Sequence, residues 1–262
     1  MPIREPEPRF LEPLLGIVFD LDGTLVISRH DFHQMRREVI QISQRYGVNP
    51  QHLSVEMPMH RILELSREEI RNSGAADTLL LRYEAEFHKR VDDIEMQALE
   101  RTVARPGAEA LVKGLAARDF RIGLLTRSSE AFARAALVRT GLAQYFPFLR
   151  SRSSPGPAKP SPEALWHLLK EMKVPPGRAL FVGDHLIDAE CATSARVRFY
   201  AVLPDPGESS AGTMSVDRFL AAGAEAVAPD LFELGRQLQV AIPPTDPHRA
   251  AMPAPARRLP GS

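Results

Sequence analysis

The sequence predicts an α/β fold: a parallel sheet covered on both faces by helices, with an all-helical insert after the first strand. Two observations carry this. Short apolar runs at 14–19 (LLGIVF), 120–125 (FRIGLL), 179–182 (ALFV) and 198–202 (RFYAV) alternate with helix-length segments, the rhythm of strands joined by helical crossovers. Between 28 and 105 that rhythm stops, and apolar residues recur three or four apart instead of in runs, which is helical periodicity.

Taken in order, residues 1–13 read as a flexible lead-in, and 14–19 as a buried parallel strand that ends on an acidic turn. In the insert, Phe32, Met35, Val39, Ile42 and Tyr46 form one stripe, and Leu80, Tyr83, Phe87, Val91 and Ile94 another. A middle helix spans 58–72. No strand is expected between 28 and 105. Residues 106–118 open on Pro-Gly and place apolar groups at 108, 111, 112 and 115, a helix signal. Strand 120–125 and helix 130–139 follow, then a weak strand near 148–152 and a helix over 162–172. Strand 179–182, helix 186–194, strand 198–202 and a short strand near 225–227 complete the sheet. The expected organisation is therefore a discontinuous core (14–27 and 106–240), a helical insert (28–105) and a proline-dense, aperiodic tail (241–262) expected to be disordered.

Composition narrows the function. Hydrophobic residues make up 44% and charged residues 25% of 262, with 33 basic and 33 acidic side chains and a net charge of +0. That balance gives no basic surplus for nucleic acid. No apolar run approaches the ~20 residues that span a bilayer, and the opening MPIREPEPRFLEPLL does not read as a signal peptide. The single cysteine, Cys191, excludes an intrachain disulfide and fits a reducing, cytoplasmic location. No nucleic-acid or membrane partner is expected.

Four segments carry chemistry. In FDLDGTL (19–25) two carboxylates, Asp20 and Asp22, follow a buried strand, and Gly23 permits the turn. Carboxyl ends of parallel strands are where ligands bind. Such a pair can hold a divalent cation, or divide the work of nucleophile and acid–base. Thr126 closes the next apolar strand in LLTRS, where its hydroxyl and the following N–H groups can face an anion, or simply cap a helix. Lys159 in AKPSPEAL stands before a helix opened by Ser161 and Pro162, placed to deliver one positive charge. Asp184 and Asp188 in FVGDHLID follow a third buried strand. Four carboxylates on one edge would repel without a cation, and Mg²⁺ suits an all-oxygen site.

In this order the four segments resemble those of the haloacid dehalogenase (HAD) superfamily, over roughly 14–230. PGAEALVKGLAARDFRIGLLTRS and KPSPEAL resemble its phosphoglycolate phosphatase-like branch, and the insert resembles its small helical cap. The resemblance implies a Rossmann-like three-layer core under a cap domain, and a Mg²⁺-dependent phosphatase of small phosphorylated metabolites, phosphoglycolate-like or sugar phosphates. It implies Asp20 as nucleophile forming an aspartyl-phosphate, and Asp22 as proton donor and then activator of water. The Asp22 carbonyl and the carboxylates of Asp20 and Asp184 would bind Mg²⁺, supported by Asp188. Thr126 and the Arg127 N–H would hold phosphoryl oxygens, and Lys159 would neutralise charge. The second aspartate sets the chain apart from the dehalogenases of the superfamily.

Four positions depart from the common pattern: Ile27, Arg127, His185 and Arg196. The insert residues nearest in sequence to the first motif are Arg29, His30, His33, Arg36 and Arg37, of which Arg29 and His30 are the first candidates for a leaving-group contact. A phosphosugar mutase of the same fold and a non-catalytic phospholigand-binding protein are the competing readings. A phosphonate hydrolase is disfavoured, since Lys89 is the only lysine in the insert.

Overall fold

The structure is a computed structural model describing residues 13–205, 214–240 and 242. The expected lead-in and tail fall outside these residues, apart from positions 13 and 242. Eight strands are described: β1 (Gly16–Phe19), β2 (Val26–Ile27), β3 (Val103–Ala104), β4 (Arg121–Leu125), β5 (Phe148–Arg150), β6 (Ala179–Gly183), β7 (Arg198–Val202) and β8 (Ala226–Ala228). Six of them build one sheet in the order β5-β4-β1-β6-β7-β8, with every neighbouring pair parallel. This is the Rossmann-like α/β core that the sequence predicts.

The period-two alternation of side chains sorts the apolar residues into two layers. Ile17, Phe19, Ile122, Leu124, Leu180 and Val182 face one side. There they pack against α4 (Ala108–Ala116), α5 (Glu130–Arg139) and α9 (Leu231–Gln237). Val18, Leu125, Phe181, Phe199 and Ala201 face the other. There they meet α6 (Pro162–Met172), α7 (Leu186–Ala195) and α8 (Val216–Ala221). All four β1 residues are buried, because both faces of the central strand are covered.

Between β2 and β3 the chain forms α1 (Phe32–Arg45), α2 (Met59–Asn72) and α3 (Asp77–Ala98). Met35, Val39, Ile42, Ile62, Tyr83, Phe87, Val91 and Ile94 bury one another in a separate apolar cluster. Inside it the Tyr83 hydroxyl lies 3.0 Å from Ser43 Oγ, which also accepts a 3.0 Å bond from Ser66, so these buried hydroxyls are partnered. Phe32, the first residue of the expected stripe, is 37% exposed and outside that cluster.

The expectation of no strand between 28 and 105 does not hold. β3 pairs antiparallel with β2, Val26 opposite Ala104 and Ile27 opposite Val103. This ribbon joins the two chain segments that enter and leave the helical insert. Two-residue strands leave no alternation for a sequence reading to find. No helix of the described residues is long and apolar enough to cross a membrane.

Candidate active site

The site forms where β1, β4 and β6 end on the carboxyl edge of the sheet. Asp20 directly follows β1, and its N–H donates to the Val182 carbonyl at 2.9 Å, fixing it beside β6. The loop then closes on itself through Gly23 N–H to the Val26 carbonyl, 2.9 Å, and Leu25 N–H to the Leu21 carbonyl, 2.8 Å. Gly23 has φ +83°, and a Cβ there would collide with the Asp184 carboxylate. The glycine of the motif therefore serves both the turn and the approach of β6. Thr24 Oγ1 donates to Asp184 Oδ1 at 2.8 Å across 160 residues of sequence.

Asp184 follows β6. Asp188 sits in the first turn of α7, where its Oδ2 accepts the His185 N–H at 3.1 Å, while His185 Nδ1 accepts from Ile187 N at 3.2 Å. This reciprocal capping box fixes Asp188 against Gly183. Lys159, placed by the capped start of α6, donates from Nζ to Asp20 Oδ1 and to Asp188 Oδ1, each at 2.7 Å. Burial works against the Lys159 charge, but Asp188 and Asp20 overcome it, and its pKa stands above the usual lysine value.

Asp20, Asp184 and Asp188 are all buried, and one ligand atom from each lies within 4.8 Å of the others. Three carboxyl groups face the single Lys159 ammonium, so ionisation of all three would leave two negative charges in the cluster. Burial pushes the Asp20 carboxyl up to about 7, Lys159 opposes that shift, and Asp188 adds to it. A buried, all-oxygen donor set with this surplus fits a hard divalent cation.

The Asp22 carboxylate is outside this trio. Its Oδ1 accepts from the Ser28 N–H at 3.3 Å and from the Ser28 hydroxyl. His30 Nε2 lies 3.6 Å from Asp22 Oδ2. The His30 side chain is only 2% exposed, and neither ring nitrogen has a hydrogen-bond partner. Its ring centroid is 4.8 Å from that of Phe132 and 5.6 Å from that of Phe32. Arg29 is exposed, with φ +54°.

Thr126 directly follows β4 and is buried. Its N–H donates to the Arg150 carbonyl at 3.0 Å, and its Oγ1 accepts from Ser128 N at 3.1 Å. Ser129 then caps α5 by accepting from Phe132 N. The Arg127 N–H has no protein partner among the described residues, and its guanidinium lies between the core and the insert, Nη2 3.3 Å from His60 Nδ1.

Three residues around the site carried no signal in the sequence. Arg105, buried, donates from Nη1 to the Gly23 carbonyl at 2.6 Å and so braces the aspartate loop. Arg152 donates to the Arg127 carbonyl at 2.8 Å, to both oxygens of Glu95 at 2.8 and 3.1 Å, and to Asp92. Buried Glu95 also accepts the Ser129 N–H at 2.9 Å. The last turns of α3 are thus tied to the start of α5. Only contacts distant in sequence reveal these residues; an isolated Arg before a Pro, or a Glu on a helix, has no spacing to read.

Comparison with known proteins agrees with this geometry. A family model for haloacid dehalogenase-like hydrolases matches residues 14–196. A phosphoglycolate phosphatase of Pseudomonas fluorescens is 30% identical over 192 residues, covering 71% of this chain and 68% of the relative. One of Cereibacter sphaeroides is 31% identical over 196 residues, covering 70% and 83%. A solved Bacteroides fragilis structure, provisionally named a haloacid dehalogenase-like hydrolase, superposes with a TM-score of 0.60 at 22% identity, covering 84% and 99%. The matched span holds every strand end that contributes an acid, the threonine and the lysine. By sequence and by fold, this chain belongs to the haloacid dehalogenase-like hydrolase family.

Proposed function

We propose that this protein is a Mg²⁺-dependent phosphatase of a small phosphorylated metabolite, and that it works through an aspartyl-phosphate on Asp20. The observation that carries this reading is the buried Asp20 carboxylate, held by Lys159 and grouped with Asp184 and Asp188 at the carboxyl edge of the sheet. Relatives named phosphoglycolate phosphatase support the reaction class, and a phosphoglycolate-like ester or a sugar phosphate is the substrate proposed.

Asp20 and Asp184, with the Asp22 carbonyl, would hold the Mg²⁺, and Asp188 would support them. The bound ion offsets negative charge on phosphoryl oxygens. Lys159 adds a second positive charge, and the Thr126 hydroxyl and the Arg127 N–H hold the phosphoryl oxygens. Phosphoryl transfer has a loose, highly charged transition state, so such positioning supplies most of the catalysis. Asp20 bonds to phosphorus as the ester P–O bond breaks, and Asp22 gives its proton to the departing oxygen. Asp22 then takes a proton from water as the water oxygen bonds to phosphorus. The bond between phosphorus and Asp20 breaks, releasing phosphate and restoring the carboxylate. Ser28 orients Asp22 for both transfers.

Phosphate release from p-nitrophenyl phosphate tests the reading. We expect Mg²⁺-dependent turnover that is lost in EDTA and in Asp20→Asn, with the Asp20→Asn circular dichroism spectrum unchanged. Near-normal turnover by Asp20→Asn would overturn the mechanism.

A further inference from the structure

Hydrolysis as proposed uses the backbone N–H of Arg127 and leaves its guanidinium without a task. The side chain is half-buried between the carboxyl end of β4 and the first turn of α2. Its one hydrogen bond among the described residues is to His60 Nδ1, at 3.3 Å. Burial lowers the His60 pKa, and neighbouring Arg127 lowers it further. A guanidinium has donors only, so in this contact Arg127 donates and His60 Nδ1 accepts. Asp188, Asp20 and Glu64 act on the guanidinium at longer range, yet no carboxylate of the described residues lies within ion-pair distance of it.

Arginine stays charged when buried and presents five N–H donors in one plane. One of those donors is used here. The remaining donors are left for water or a ligand, so an anion that enters the cleft can take them. The acid cluster does not provide that anion, because Lys159 already bonds to Asp20 and Asp188, and Thr24 bonds to Asp184. Arg127 directly follows Thr126 and its guanidinium reaches His60 in the first turn of α2, so a leaving group that extends from Asp20 toward the insert would meet it.

The other cationic candidates are less well placed. Arg29 is exposed, Arg36 donates to the Val55 carbonyl at 2.9 Å, and His30 is enclosed by phenyl rings. One planar fork in the cleft matches one planar carboxylate, which it can bind through two parallel N–H···O bonds. A second phosphate would call for more positive charge than this cleft offers. We infer that Arg127, seated by His60, is a specificity-determining residue that binds a carboxylate on the leaving group of the substrate. This deepens the phosphatase reading and rests on it.

The test uses the full chain and two esters of equal length, phosphoglycolate and hydroxyethyl phosphate, which differ in carboxylate against hydroxyl. Wild type is expected to prefer phosphoglycolate in kcat/KM. Arg127→Ala is expected to lower kcat/KM for phosphoglycolate about 10- to 100-fold, the range for a lost charged hydrogen bond. Any loss common to both esters reports on the phosphoryl site, where the Arg127 N–H is proposed to bind, so the readout is the ratio of the two kcat/KM values, expected to fall about 10-fold or more. Arg127→Gln should behave alike while keeping more of the packing. An equal fall on both esters, a preference that survives either substitution, or no wild-type preference would overturn the inference.

Calorimetric binding of phosphonopropionate against propylphosphonate repeats the comparison without turnover. Selective binding of the carboxylated phosphonate that depends on Arg127, with no phosphate released from any ester, upholds the recognition and sinks the phosphatase reading. Phosphate release without selectivity does the reverse.

Discussion

Lys159 Nζ bonds to Asp20 and Asp188 at 2.7 Å each, so one buried cation sets the direction of two acids. Asp22, two residues from Asp20, is oriented differently, by Ser28. Adjacent carboxylates with different surroundings are suited to different roles. Asp22→Asn should therefore lower turnover by about 10²–10⁴-fold, the usual value of general acid–base help, while the amide oxygen still accepts from Ser28 and the fold is kept. Steady-state phosphate release checks this, and a rate within a few-fold of wild type would remove Asp22 from the proton transfers. The acids, Thr126 and Lys159 were legible in the sequence because each stands beside a strand run or a helix cap. Arg105 was not, since its partner, the Gly23 carbonyl, is 82 residues away. His60 was equally silent, as a polar residue on a helix whose only mark is what it faces across the cleft.

At the scale of elements, the helical insert is fastened to the core by Glu95. It accepts from Arg152 and from the start of α5, and is itself buried. Removing one partner of a buried ion pair strands the other and typically costs about 3–5 kcal/mol. Glu95→Ala should sit near the lower end, about 3 kcal/mol, because Arg152 keeps Asp92. The urea midpoint of the full chain reads this, and an unchanged midpoint would show that the tether adds nothing to stability. The stripes on α1 and α3 foretold which faces meet, as Val39, Phe87 and Val91 show. They could not foretell what the last turns of α3 touch, because periodicity locates an apolar face and says nothing of the ion pairs at its rim. β2, β3, α8 and α9 escaped notice because at two to seven residues they are too short to repeat a pattern convincingly.

Across the whole molecule, strand order does the assembling. β1 lies between β4 and β6, so their three carboxyl ends bring together residues more than a hundred positions apart. Alternating apolar runs gave the parallel sheet and its two layers, because a strand covered on both faces must be apolar throughout. The order of those strands is not written in any run; it came from the structure. The central claim is that position 20 bonds covalently to phosphorus within this assembly. Its most direct test is rapid acid quenching of the full chain during turnover of a phosphomonoester, followed by borohydride reduction and peptide mass spectrometry. The claim predicts that residue 20 alone is converted from aspartate to homoserine. Continued phosphate release with residue 20 unmodified, or the label on another residue, would contradict it.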